Sequence, residues 1–392
     1  MTPARPECIV FGAGALGLGF LGPELAPQCR VTYVDIPART DLLEHLQETG
    51  RYAVNITGLS MRPTEVEGVS GLASGPESQA DVMLALEAAD LVFTAVGEPN
   101  LRQLAPLLAR ACGCRTTERP LRVLCAENGV EVARNLRGAI EQEAGRSLGG
   151  VLLTGDTVMG RMCKVVARPR PPAAAVAPGV DWAVVAEPYF GIPVEEHTVE
   201  GLELLPAAIR PAAPAGFHAH EDVKMLAHNG LHATLGALGY LRGAHSFGEL
   251  RSVPEIMEAG RHLLADEAAP ALIGKHRGVL DRSECLNYCD WILRRVTCPV
   301  LDDSIERGVR GAMRKLEPWE RLVYSMRAVA AQGIEPTVFA TGVAAAVLVA
   351  QRSGATRMSF AAVLTEHCGL DTGAEADLID LVERCRSTLE GH

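Results

Sequence analysis

Cys8-Ile9-Val10-Phe11-Gly12-Ala13-Gly14-Ala15-Leu16-Gly17 decides how this chain folds. Four apolar residues stop at a glycine, and the glycines then recur at the spacing of a turn that opens a helix, which continues through Leu18-Gly19-Phe20-Leu21. The spacing predicts a buried strand, a tight turn and a helix N-terminus. Gly12 permits the turn, Gly14 lets the backbone approach a pyrophosphate, and Gly17 lets helix and strand pack closely. The N–H groups of the first helical turn, around Ala15 and Leu16, have no partner within the helix and favour a phosphate. Further on, Arg30-Val31-Thr32-Tyr33-Val34-Asp35 is a β-branched run ending in an acid. A carboxylate there binds both ribose hydroxyls of a dinucleotide and repels a 2′-phosphate, so the expected cofactor is NAD rather than NADP.

Working outward, Asp90 to Val96 and Val123 to Ala126 are continuous apolar runs, the pattern of parallel strands buried on both faces. Leu101–Ala111 and Val130–Ala144 read as the intervening helices. The expected fold class is α/β: an N-terminal Rossmann-type doubly wound sheet with a mainly α-helical C-terminal domain. Val96 and Gly97, at the carboxyl end of a strand, are expected to touch the cofactor. Arg168 to Gly179, rich in proline and alanine, reads as an exposed, partly extended loop, and Trp182 to Pro188 as a late strand. Strand signals nearly vanish from about Glu221, which places the boundary between residues 195 and 205: 1–200 for the cofactor domain and 201–392 for a helical substrate and catalytic domain.

The 392 residues carry a net charge of −11, which speaks against a nucleic-acid partner. The N-terminus shows no apolar leader, and the longest apolar run, Val338 to Ala350, is too short for a bilayer and reads as a buried helix. A cytoplasmic protein, with no membrane partner, is expected. Eleven cysteines are scattered without the close pairs of a zinc site, and His218 with His220 lacks a third ligand, so no metal is expected. Hydride chemistry without a metal needs a protein base.

Glu221-Asp222-Val223-Lys224-Met225-Leu226-Ala227-His228-Asn229-Gly230-Leu231-His232 is where such a base is found. On an α-helix, Lys224, Asn229 and His232 fall within an arc of roughly 140°. Alcohol oxidation asks for a group to take the hydroxyl proton, donors for the developing alkoxide and a group to orient the carbon. Lys224 can be the base if burial and positive neighbours lower its pKa, Asn229 can donate to the oxygen, and His232 can orient the substrate. A lysine on a solvated face and a satisfied helix histidine fit the same pattern, and His228 competes for the role given to His232. Glu306 to Lys315 is basic within an acidic chain, so Arg307 and Arg310 are candidates for an anion clamp.

These residues resemble those of the polyol-specific long-chain dehydrogenases, most closely the mannitol-1-phosphate 5-dehydrogenases. Lys224, Asn229 and His232 match the family's Lys-x4-Asn-x2-His signature. The loop Phe11 to Gly22, the turn Ala126-Glu127-Asn128, the segment Ala186-Glu187-Pro188-Tyr189-Phe190, and Leu301 to Arg307 with Arg314-Lys315-Leu316 are similar to further family segments, in family order. The resemblance implies a metal-free reaction with Lys224 as general acid/base and Asn128 paired with Asn229 at the reacting oxygen, Asn128 also touching the cofactor. It further implies that Arg307 points towards substrate and that Glu221 stands where related enzymes carry a glutamate linked to proton passage. Where the family reads Val-Asp-Arg, this chain has Met159-Gly160-Arg161, which admits a bulkier, cyclic or less hydroxylated substrate.

The leading expectation is a dehydrogenase acting with NAD on a secondary alcohol of a polyol, polyol phosphate or related cyclic sugar-like substrate, as a monomer or small homo-oligomer. An isomerase or epimerase that keeps its NAD would use the same residues, and would show co-purifying NAD without net reduction. A non-catalytic NAD-sensing regulator would need no base.

Overall fold

Strand β1 (Glu7–Phe11) is central because every second side chain faces the opposite way and both sets are apolar. Cys8 and Val10 enter one core cluster, Ile9 and Phe11 the other. Around it run β2 (Arg30–Asp35), β3 (Arg51–Ile56), β4 (Arg62–Glu67), β5 (Val69–Ala73), β6 (Leu91–Thr94), β7 (Leu121–Cys125) and β8 (Leu152–Asp156). A computed structural model describes residues 5–58, 60–129, 131–188 and 191–391. They form two compact units, Met1–Phe217 and His218–His392.

In the first unit, six strands pair in the order β5-β2-β1-β6-β7-β8, all parallel. This is the doubly wound sheet expected from the sequence, with helices such as Gln79–Ala88, Ala105–Cys112 and Val132–Ala144 on one face. The strand at Asp90–Val96 is shorter than the apolar run: it leaves the ladder after Thr94, and Ala95-Val96-Gly97 forms a turn. The helix read at Leu101–Ala111 starts as a 3₁₀ segment, Glu98–Leu104, before becoming α-helical. Val130, the expected start of the following helix, lies outside the described residues.

A second sheet covers the other face, in the order β4-β3-β10-β9, where β9 is Cys163–Ala167 and β10 is Trp182–Ala186. A parallel pair, β11 (Ile192–Glu195) and β12 (Ile209–Ala212), completes the unit. The proline-rich stretch is less exposed than its composition implies. Val176 and Ala177 are buried in the core, Asn55 holds both the N–H and the carbonyl of Ala174, and Ala53 donates to the Val176 carbonyl. Polar backbone brought into a core must be paired, and Asn55 does that here.

The glycine-loop helix passes through a π-helical stretch at Gly17–Leu21, every residue of it buried. Such a turn leaves carbonyls that fit the usual ladder poorly. Tyr33 donates its hydroxyl to the Gly17 carbonyl at 3.1 Å and Tyr52 to that of Leu18 at 2.7 Å.

In the second unit, an isolated bridge between Ser246 and Ser304 is the extent of extended pairing among the described residues; the other regular elements are helices. The helix Leu231–Leu241 packs on Thr337–Arg352, whose residues from Phe339 to Ala350 are buried almost throughout, as the apolar run predicts. Among the described residues no helix is long and apolar enough to cross a membrane.

Candidate active site

The cofactor end is built by the close approach of two loops. Gly12 has φ of +105°, and a side chain there would press on the Ala95 carbonyl. A Cβ on Gly17 would strike the Gly12 carbonyl, so the helix lies directly on the loop. At Gly14, by contrast, an added Cβ meets nothing within 4 Å, which leaves the backbone open to an incoming group. Asp35 reaches back from the end of β2: one carboxylate oxygen accepts from the Ala13 N–H and the other from Ile36, both at 2.7 Å. A cavity of about 740 Å³ opens here, with Gly12, Gly14, Asp35, Val96 and Asn100 in its wall. Of the expected cofactor residues, Gly12, Gly14, Asp35 and Val96 line it; Ala15 and Leu16 begin the helix above the loop, and Gly17 is buried beneath. The open backbone at Gly14, the free helix start and the carboxylate fit a dinucleotide.

Glu127, whose role the sequence alone does not reveal, fixes the loop that carries Val96 in the cavity wall. It is buried after β7 and accepts from the Val96 N–H at 2.9 Å and the Gly97 N–H at 3.0 Å. Burial raises its pKa, and those two N–H groups oppose the rise. Asn128 follows it, exposed. Gly160 is buried, and its neighbour Arg161 is spent on structure: it donates to the Gly19 carbonyl at 3.0 Å and pairs with Glu24 at 2.5 Å, both side chains nearly inaccessible. Glu187 accepts from the Met162 N–H at 2.7 Å, joining the segment after β10 to the segment before β9. Tyr189 and Phe190 lie outside the described residues.

The chemistry end belongs to the second unit. The helix Pro214–Val223 runs into a π-helical turn, Lys224–Gly230, before Leu231–Leu241 resumes as α-helix. The α-helical wheel therefore does not apply to this stretch. Asn229 is five positions after Lys224, roughly 140° away on an α-helix. An i→i+5 turn brings that spacing close to one face. Lys224 is half-buried. Burial, and then the Arg321 guanidinium, lower its ammonium to a pKa of about 8, while Glu221 pulls the other way. Asn229 is half-buried on the same turn. His228 is buried, its Nδ1 has no hydrogen-bond partner among the described residues, and burial together with Arg295 and other cations holds its pKa well below the ordinary value.

His232 stacks on Phe247, with ring centroids 4.2 Å apart, and its Nε2 lies 2.9 Å from Asp303. Asp303 is fully buried and also takes two bonds from Arg307, through Nε at 2.6 Å and one Nη at 2.7 Å. Burial disfavours its charge, but His232 and Arg307 outweigh that and hold the carboxyl below its ordinary range. Arg307, expected as an anion clamp, is thus forked onto a protein carboxylate. Arg310 is exposed and makes no ion pair among the described residues. Glu221 is exposed and faces His218 at 2.9 Å. Lys315 was not singled out from the sequence. It is buried, bonds the Gly308 carbonyl, and is lowered to about 8 by burial and then by Arg321.

Comparisons with known proteins identify the family. A model of the mannitol dehydrogenase Rossmann domain matches residues 6–204, and one of the mannitol dehydrogenase C-terminal domain matches 217–358. The mannitol-1-phosphate 5-dehydrogenase of Geobacillus thermodenitrificans is 32% identical over 81% of this chain and 80% of its own. That of Exiguobacterium sibiricum is 29% identical over 87% and 85%. Among solved structures, Pseudomonas fluorescens mannitol 2-dehydrogenase, in ternary complex with NAD and D-mannitol, superposes with a TM-score of 0.71 at 14% identity, covering 99% of this chain and 92% of that one. A substrate-free D-sorbitol dehydrogenase reaches 0.75 at 15% identity, covering 99% and 93%. The chain belongs to the mannitol dehydrogenase family of oxidoreductases.

Proposed function

We propose that the protein is an NAD-dependent dehydrogenase acting on a secondary alcohol of a polyol or polyol phosphate, with Lys224 as the general acid/base. The observation that carries this reading is the Lys224 amine, half-buried at the start of a π-turn and brought to a pKa of about 8 by burial and Arg321. NAD, when bound, supplies the hydride acceptor. Gly12, Gly14 and the first turn at Ala15 and Leu16 hold its phosphates, and Asp35 orients a ribose; Val96 and Gly97, fixed by Glu127, support the loop beside them. Neutral Lys224 takes the hydroxyl proton of the alcohol. Asn229 donates to the oxygen as negative charge builds, and the resemblance assigns Asn128 the same role. His232, steadied by Asp303 and Phe247, orients the substrate, with Glu221 at the route of the proton.

Arg307 is neutralised by Asp303 and Lys315 is bonded to the Gly308 carbonyl, so Arg310 is the cation of this segment proposed to meet an anionic group of a phosphorylated polyol. The relatives named mannitol-1-phosphate 5-dehydrogenase support the same choice. The test is NADH formation with D-mannitol 1-phosphate, D-mannitol, D-sorbitol, cyclitols and their phosphates at pH 9. Reduction of NAD with a member of this panel, cut by about two to four orders of magnitude in Lys224→Ala while NADH binding is unchanged, is the expected result. Wild-type turnover in Lys224→Ala contradicts it.

A further inference from the structure

Asp222 lies two residues before Lys224, and its carboxylate is buried. One oxygen accepts from Lys275 Nζ at 2.7 Å and contacts His276 Nε2 at 2.6 Å; the other accepts the Tyr324 hydroxyl at 2.5 Å. Lys275 also donates to the Tyr324 oxygen at 2.9 Å. Three segments meet in this cluster: the helix Pro214–Val223, the C-terminal end of Ala269–Lys275, and the helix Val323–Ala330. A buried carboxylate must have its charge and lone pairs satisfied, and Lys275, His276 and the Tyr324 phenol supply the partners here. They do so well enough that, against the cost of burial, the Asp222 carboxyl stays below its ordinary range.

We propose that Asp222, Lys275, His276 and Tyr324 form a positioning knot that holds the helix in its wider π form and so places the Lys224 amine beside Arg321. A π-turn is less favourable than the α-helix it interrupts and persists where its surroundings over-determine it. This one is pinned at both ends. Asp222 fixes the entry, and at the exit a Cβ on Gly230 would lie 2.6 Å from the Phe339 ring, so no side chain larger than hydrogen fits. Arg321 stands one turn before Tyr324, whose N–H bonds the Glu320 carbonyl at 2.9 Å, and Arg321 itself pairs with Glu320 at 2.9 Å. The Tyr324 hydroxyl therefore ties to Asp222 the same turn that carries Arg321. Titratable groups on elements packed against the π-turn include His232, Arg295, Asp266, Glu267, Cys289, Tyr324 and Arg327, with Arg321 just before the helix of Tyr324 and Glu221 on the preceding helix. Among the charges acting on Lys224, Arg321 ranks first and Glu221 opposes it.

The inference rests on Lys224 being the base, and the experiment separates the two. The full chain, without cofactor, is acetylated with acetic anhydride across a pH series, and the rate at the Lys224 peptide is read by mass spectrometry. Wild type is expected to titrate near 8. Tyr324→Phe, which keeps the ring and removes only the hydroxyl, and Asp222→Asn are each expected to move that titration up by about one unit. The kcat/KM profile for NAD-linked oxidation should move with it, with the Kd for NADH unchanged. A wild-type titration near 8 that stays put in both folded variants overturns the knot alone. Should Asp222→Asn fail to fold, Tyr324→Phe decides. An ordinary lysine titration in wild type overturns the knot and the base together.

Discussion

At the scale of single residues, the proposed chemistry turns on one amine and the charges around it. With Lys224 as the proposed base, oxidation of an alcohol needs it neutral and reduction of a ketone needs it protonated. With a pKa of about 8, the oxidation rate should fall roughly tenfold for each pH unit below that value, and the reduction rate should fall above it. The amine proposed as the base stands out in the sequence because Lys224, Asn229 and His232 share one segment. Its environment does not. Arg321 lies far along the chain from Lys224, and Asp303, which orders His232 and Arg307 at once, sits in a stretch that read simply as a basic segment with acids nearby. Charge partners that converge from distant turns leave no periodic trace.

At the scale of elements, the glycine loop assigns different work to each glycine. Gly14→Ala should fold normally, because its Cβ meets nothing, yet weaken NADH binding by about one to two orders of magnitude, because the pyrophosphate needs that space. Gly17→Ala should instead lower stability by about 1–3 kcal/mol, because its Cβ strikes the Gly12 carbonyl. Fluorescence titration of NADH and thermal melting of both variants check the pair; reversed outcomes would refute the loop assignment. The strands of the first sheet were readable as continuous apolar runs. Of the second sheet, β10 was readable as the late strand from Trp182, but β4 was not: it is Arg-Pro-Thr-Glu-Val-Glu, with Val66 as its one buried side chain, so neither alternation nor an apolar run marks it. The π-turns were equally silent, since their apolar spacing resembles that of an α-helix and their cause lies in tertiary anchors such as Tyr33, Tyr52 and Asp222.

At the scale of the whole molecule, stability and activity should respond to pH through different groups. Glu267 is buried and accepts from the N–H groups of Val338 and Phe339, at the start of the long apolar helix. Burial raises its pKa from an ordinary 4.5 to about 7, with those N–H groups opposing. The folded state therefore binds this proton more tightly than the unfolded chain does. Its contribution is fully present below about 4.5 and is lost as pH rises through about 7. Glu267→Gln removes that dependence, so its Tm should exceed that of wild type at pH 8 by more than it does at pH 4.5. A Tm difference that is constant from pH 4.5 to 8 contradicts the assignment. The two-part organisation was readable at this scale because strand signals give way to helical ones near Glu221, while residues Asn55, Val176 and Ala177 show how a composition-based loop can be drawn into a core by one amide side chain.

The most direct test of the Lys224 assignment is the pH dependence of kcat/KM for NAD-linked oxidation of D-mannitol 1-phosphate between pH 6 and 10, in wild type and in Lys224→Ala. The expected profile rises with a single ionisation near 8 in wild type, and that ionisation disappears with the amine while NADH still binds. An ionisation near 8 that survives in Lys224→Ala, at comparable turnover, would show that another group moves the proton.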